Sequence, residues 1–522
     1  ALVGGTDFKE PWLEFLLQRK VWAYSDDDAV TTHPIQFPVP NSSLVMSSID
    51  GITYAKGASV LRQLSYFIGD ETFKKGVQSY MKKYAYKNTQ FQDLLNELSL
   101  AHGESLDEWA GVWLKTAGVN RVTSEVSCEA GKISSLRLRQ SAPEAHPQLR
   151  EQRFQVGLYT AESEVLQAPN VLHVTLKGET TDIADAVGTT CPVLILPNLG
   201  DYGYMKAVLD DTTRANLNRY LGQIEDAHAR TLFWIALADG VNDRRYAMTD
   251  YLNVALEQLK TESNLQILAG ISRTLSRFQW WLLLSDETKI VDLHNQYFSQ
   301  LSALSLQQLN AADPQSDVFQ IWLRLYNRIA QLEPELEQLG AWLATGEING
   351  WKIDQGRRWA ILNVLAERRT EGVAALLEQE KAADVSARAH RYYVAATTRL
   401  ASTKGKTDLY QKAMDLENDE TLNNRRAVLN ALAPKRQAEA FREMGETMFR
   451  DWFDGADVYD MEMSRTLTAR IVPYSFTCEA SWSVFVEDLL TSKTLKNTDM
   501  NNALMESLES NKRCVEALEL LR

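Results

Sequence analysis

Seven histidines are spread through the 522-residue sequence, at His33, His102, His146, His173, His228, His294 and His390, and no two stand four residues apart. That excludes a His-Glu-x-x-His helix, in which two imidazoles share one face to hold zinc. Cysteine is equally scarce. Cys128, Cys191, Cys478 and Cys514 lie far apart with no Cys-x-x-Cys spacing. They read as buried free thiols in a reducing compartment, which places the protein in the cytoplasm. No apolar run approaches the roughly 20 residues of a membrane-spanning helix. Positive charge is in deficit too: 55 basic against 69 acidic residues give a net charge of −14. With no basic face to neutralise phosphates, nucleic acid is excluded as a partner. No strict repeat motif is visible, so no named repeat class applies.

What is present is enough apolar residue, 45% of the chain, for several packed domains. Three regions follow from the periodicity. Residues 1–118 read as helical, broken by a proline-rich loop from His33 to Pro40. In residues 119–203 the apolar period switches to two. Ile133, Leu136 and Leu138 alternate, as do Phe154, Val156 and Leu158, then Leu172, Val174 and Leu176, while Val193–Leu196 suits a buried strand. A small β-sandwich is expected there. Residues 204–522 carry successive helical stripes, among them Trp322, Leu325 and Ile329, then Trp359, Leu362 and Leu365. Short helices in sequence predict an α-superhelix.

The most informative stretch runs from Ser48 to Leu61, with Ile49-Asp50-Gly51-Ile52-Thr53-Tyr54-Ala55-Lys56-Gly57-Ala58-Ser59 at its centre. It reads as an Asp-Gly turn entering a helix, with Tyr54 at the start of that helix. Gly57 and Ala58 keep the next turn slim, open to close approach by backbone or substrate. This pattern resembles the catalytic-tyrosine segment of the zinc aminopeptidases of the aminopeptidase N family. The resemblance continues through the stripe Leu61, Leu64, Phe67 and Ile68, through Glu71–Val77, and through Trp109 and Trp113 to Gly118. Leu196-Pro197-Asn198, Asp201 and Tyr204 resemble the joint between that family's β-domain and helical domain.

The resemblance implies a mainly α architecture: the helical remainder of a thermolysin-like catalytic domain, a β-sandwich, and an α-superhelical, HEAT-like carboxy-terminal domain. It implies a peptide substrate with a free amino terminus. It also gives Tyr54 the role of donating a hydrogen bond to the oxyanion formed as water attacks the scissile peptide, a task that suits a phenol because it stays a donor at pH 7. The family's zinc motif and its Gly-x-Met-Glu-Asn segment are missing, and its glutamate ligand would fall just before Ala1. The expectation is a fragment of a longer zinc enzyme, inactive alone, with zinc in the intact parent and none in this chain. The alternative reading is a non-catalytic helical-repeat module that binds peptides or proteins; the sequence upstream of Ala1 would decide between them.

Other features read as structural. Trp280-Trp281 suits interhelix packing. Arg465, Arg470 and Pro473-Tyr474, and likewise Asn423-Asn424-Arg425-Arg426, suit solvated helix faces. His146 and the run Asp26-Asp27-Asp28 suit solvated loops.

Overall fold

The computed structural model describes residues 11–38, 50–434, 437–455, 463, 466–468, 478–492, 495 and 498–522. Arg465, Arg470 and Pro473-Tyr474 lie outside these residues. The chain is mostly helical, with small sheets and a helical carboxy-terminal region. It forms two compact units, Ala1–Tyr246 and Ala247–Arg522.

In the first unit, helical turns run from Pro11 to Asp27, and helices Gly57–Ile68, Asp70–Tyr84, Phe91–His102 and Asp107–Leu114 follow. Val60, Leu64 and Ile68, spaced by four residues, form one buried stripe and pack with Leu95, Leu98, Trp109 and Trp113. Leu61, expected in that stripe, is instead 37% exposed. The buried face is rotated by one residue, with Val60 rather than Leu61 in the core cluster that holds both tryptophans.

Nine strands follow: β1 (Arg121–Glu129), β2 (Lys132–Ser141), β3 (Gln152–Tyr159), β4 (Ala161–Glu162), β5 (Val165–Leu166), β6 (Asn170–Leu176), β7 (Thr180–Asp182), β8 (Leu194–Leu199) and β9 (Lys206–Val208). One sheet has the order β7-β2-β1-β9 and a second β6-β3-β8, while β4 and β5 pair as a hairpin. β9 joins β1 in parallel, opposing Lys206 to Arg121. Inward residues of both sheets, including Leu136, Leu138, Phe154, Val156 and Leu176, form one core. Period-two alternation is the cause, since each strand turns one face to that core.

The cysteines overturn the expectation of free thiols. Cys128 is bonded to Cys191 and Cys478 to Cys514. Sequence distance hid these pairs. The end of β1 and the loop before β8 meet only once the sheet has formed, and the second pair closes a gap of 36 residues.

The second unit begins with Met248–Gln258 and proceeds helix by helix to Thr498–Glu519. Trp322, Leu325, Ile329, Trp359, Leu362 and Leu365 are all buried. Trp281 is buried, its ring centre 5.8 Å from that of Phe278 one turn earlier on the same helix, and Trp280 is half-buried. Among the described residues, a hairpin departs from an all-helical reading: β10 (Glu347–Ile348) pairs with β11 (Trp351–Lys352). Asn349 and Gly350 join them with φ of 51° and 78°, the two left-handed residues of a tight hairpin turn.

The Asp26-Asp27-Asp28 run is a second correction, for it is not solvated. Asp26 accepts the Gly51 backbone N–H at 2.8 Å. Asp27, fully buried, accepts Lys56 Nζ at 2.9 Å, Thr32 Oγ1 at 2.8 Å and the Gly118 N–H at 3.0 Å. Asp28 binds Arg121 at 2.8 Å and Lys206 at 2.9 Å, and Asp243 shares both cations at 2.6 and 3.0 Å. Lys20, also buried, is paired with Asp201 and donates to the Gly203 carbonyl at 2.7 Å. Asp27 and Asp28 each have a distant cation and Asp26 a backbone donor, so the adjacent like charges are tolerated.

Replacing Asp27 by Asn should leave the Lys56 ammonium buried without its counter-charge. The expected loss is about 3–5 kcal/mol of unfolding free energy in urea titration. Asp27→Asn combined with Lys56→Met should regain much of it; a double variant no better than the single one would refute the pairing.

Candidate active site

Tyr54 sits in a single wide π-helical turn, Ile52–Lys56, that leads directly into helix Gly57–Ile68. The turn is closed from below. Asp50 accepts the Thr53 N–H on its side chain at 2.7 Å and the Tyr54 N–H on its carbonyl at 3.3 Å. Gly51 is needed here because a Cβ would lie 2.8 Å from Asp26 Oδ2 and 3.0 Å from the Ala23 Cα. At Gly57, where close approach was expected, the nearest atom to such a Cβ is an Ile35 methyl at 4.0 Å. The tight approach thus belongs to the turn before Tyr54, against the helix that ends in the aspartates.

Ile52, Ala55 and Lys56 are buried, whereas Tyr54 is 59% exposed. Lys56 therefore anchors the turn from inside while Tyr54 projects outward. Burial pushes the Lys56 ammonium down to about 8, against the opposing pull of Asp27. The Tyr54 hydroxyl has no hydrogen-bond partner among the described residues. It lines a cavity of about 480 Å³ with Phe15, Arg19, Trp22 and Ala55. Arg19 is likewise unpaired among the described residues, so the cavity combines aromatic walls, one phenol and one guanidinium.

His33 holds the other end of the turn. Its Nε2 contacts Asp50 Oδ2 at 2.5 Å and its Nδ1 the Pro34 carbonyl at 2.8 Å. Two acceptors face the two ring nitrogens, an arrangement that suits the doubly protonated ring. Burial opposes that charge, but the bonds to Asp50 and Pro34 outweigh it and raise His33 above its ordinary value. For Asp50, burial is likewise outweighed by His33 and Thr53, and the carboxyl is held below the ordinary range.

The residues present do not fit a catalytic zinc. Among the described residues, no group of three or more His, Cys, Asp or Glu side chains could hold a metal ion. His33 is committed to Asp50, and His173 contacts the Tyr66 hydroxyl at 2.8 Å. His146 is half-buried against Gly118 rather than solvated. No helix is long and apolar enough to cross a membrane among the described residues.

Around this turn the sequence singled out Tyr54, misread the aspartate run as solvated, and gave no role to His33, Asp50 or the cavity walls Phe15, Arg19 and Trp22. The spacing of Phe15, Arg19 and Trp22, at i, i+4 and i+7, was an available signal for one helical face.

Residues 4–113 match the Peptidase family M1 domain, and residues 194–407 match the ERAP1-like C-terminal domain. Aminopeptidase N of Streptomyces lividans is 30% identical over 484 residues, which is 91% of this chain and 55% of that protein. The leucyl aminopeptidase of Saccharolobus solfataricus is 37% identical over 125 residues, 24% of this chain and 16% of its own length. Aminopeptidase 2, mitochondrial, of Saccharomyces cerevisiae is 36% identical over 107 residues, 20% of this chain and 11% of its own. The chain thus spans about half the length of the Streptomyces protein and smaller shares of the others. The Tyr54 segment lies within the first matched domain, and the chain belongs to the aminopeptidase N family.

Proposed function

We propose that the chain is the carboxy-terminal portion of a zinc metallo-aminopeptidase that removes amino-terminal residues from peptides, with Tyr54 donating a hydrogen bond to the tetrahedral oxyanion. The observation that carries this reading is the exposed Tyr54 hydroxyl, without a hydrogen-bond partner among the described residues, on a turn locked from beneath by Asp50, Gly51 and Lys56 and lining a cavity. A donor fixed before the oxyanion develops needs no reorganisation during the reaction, the condition under which such a bond is most effective. The zinc ligands and the general base are to come from residues other than those of this chain, which alone is proposed to be inactive. Its partner is a peptide with a free amino terminus.

We assign residues 1–118 to the helical part of a thermolysin-like catalytic domain, 119–203 to a β-sandwich and 204–522 to an α-superhelical, HEAT-like domain. The core shared by the two sheets supports the second assignment, and the succession of helix pairs the third. The cytoplasmic expectation rested on free thiols. With the four cysteines joined in two disulfides, that support is gone, and an oxidising compartment fits the pairing better.

This chain alone should bind no stoichiometric zinc; elemental analysis after dialysis checks it, and one retained zinc per chain would refute the assignment. The His33–Asp50 pair sets a pH window for the turn. A raised His33 contributes stability that is complete below its ordinary 6.5 and lost as pH rises through its folded value. A lowered Asp50 contributes above its ordinary 3.8 and is lost as pH falls through its folded value. The Tm difference between the parent chain and His33→Gln should therefore be largest between about pH 4 and 6.5 and shrink by about pH 8.5; a difference flat across that range would contradict the pair.

In the full-length protein, Tyr54→Phe keeps the ring and removes only the hydroxyl. The expected result is a kcat lower by about 100-fold or more, with KM and Tm nearly unchanged. Near-normal turnover of an amino-acid anilide by a fully metallated variant would remove Tyr54 from the catalytic site.

A further inference from the structure

A second cavity, of about 450 Å³, lies within the helical unit among helices Gln355–Glu367, Ala387–Leu400 and Leu422–Leu429. Its chemistry is unlike that of the chain as a whole. Acidic residues outnumber basic ones overall, yet the described lining contains three arginines, Arg391, Arg399 and Arg426, and no carboxylate. Arg391, Ala395 and Arg399 recur every fourth residue, so one helix face presents two guanidinium groups with a methyl between them. Ala360 and Ala427 from the flanking helices leave the remaining space open.

The two guanidinium groups on this helix face are little neutralised by the described residues. Arg391 has no partner among the described residues. Arg399 donates to Asn363 Oδ1 at 2.7 Å, which is itself oriented by a bond from Asn363 Nδ2 to the Trp359 carbonyl at 2.8 Å. The buried Arg399 Nε makes no hydrogen bond among the described residues, and its nearest carboxylate oxygen, on Glu367, is 3.9 Å away. Arg426 donates to the Thr466 hydroxyl at 3.0 Å. The neighbouring Lys406 is buried on neutral acceptors as well, donating to the Leu432 carbonyl at 2.6 Å and to the Gln437 side chain at 2.5 Å. Burial, then Arg369 and Arg399, push it down to about 7, with Glu367 opposing, so positive charge is in local excess here. Arg425, by contrast, is structural: it is buried and caps the carbonyls of Ala413 and Asp415 at 2.7 and 2.5 Å.

We propose that this cavity binds a small multivalent oxyanion, one whose carboxylate or phosphate oxygens bridge Arg391 and Arg399. Guanidinium forks suit both oxyanion types, and bidentate pairing gives geometric selectivity over a simple monovalent ion. The site neither requires nor tests the peptidase reading, since binding is measured without turnover.

Isothermal titration of the intact chain with citrate and with pyrophosphate, at constant ionic strength, is the test. Binding of citrate alone assigns a carboxylate ligand and binding of pyrophosphate alone a phosphate one; binding of neither overturns the proposal. Arg391→Gln should weaken the bound anion at least tenfold. Lys404→Gln, which removes the same charge from an exposed position on the next helix and outside the cavity lining, should leave it unchanged. Ala395→Leu keeps every charge and fills the space, and should abolish binding. Equal weakening by Lys404→Gln, or binding that survives Ala395→Leu, would mean a diffuse field and no site.

Discussion

The first unit depends on buried charge that is met by cations and backbone donors. Asp26, Asp27 and Asp28 end one helix, and each reaches a different part of the chain: the turn before Tyr54, the Lys56 ammonium, and the Arg121 and Lys206 side chains of β1 and β9. Removing a carboxylate from water costs several kcal/mol, which only close cations and backbone donors can offset. That cost makes the run a selective fastener. A misplaced turn or a slipped strand would leave one charge stranded, so the arrangement discriminates among alternative packings more strongly than apolar contacts do.

The fastening has a direct effect at the tyrosine. Tyr54 and Lys56 are two residues apart on one wide turn, and the turn sends the ammonium inward and the phenol outward. Without the buried Lys56–Asp27 pair the turn would lack its interior anchor, and without an outward tyrosine the turn would present no donor to the cavity. The His33–Asp50 contact closes the same turn from its amino-terminal side, so its shape is fixed from two directions.

The helical unit treats charge in a different way. Around the cavity near Ala395, Arg399 and Lys406 rest on an amide and a carbonyl, with the Glu367 carboxylate 3.9 Å from Arg399. Such cations keep much of their field, whereas those of the first unit are neutralised within it. One unit uses paired charge to hold a backbone turn; the other keeps a concave surface electropositive within an acidic protein.

Much was legible in the sequence because it followed from local spacing. Period-two alternation located β2, β3 and β6, the apolar run at Val193–Leu196 located β8, and the Asp-Gly turn before Tyr54 located the segment that carries the family resemblance. Asn349-Gly350 was a legible hairpin signal that helical periodicity on both sides masked. Other features could be decided only by the tertiary structure. The buried face of helix Gly57–Ile68 turned by one residue because its partners, not its own stripe, chose between Val60 and Leu61. The disulfides and the aspartate run were misread for a shared reason. A carboxylate or a thiol has no periodicity, and its partner lies dozens of residues away. Local pattern fixes which residues can be buried together in an element, but whether a polar group is solvated, paired or exposed depends on what the folded chain brings within about 3 Å of it.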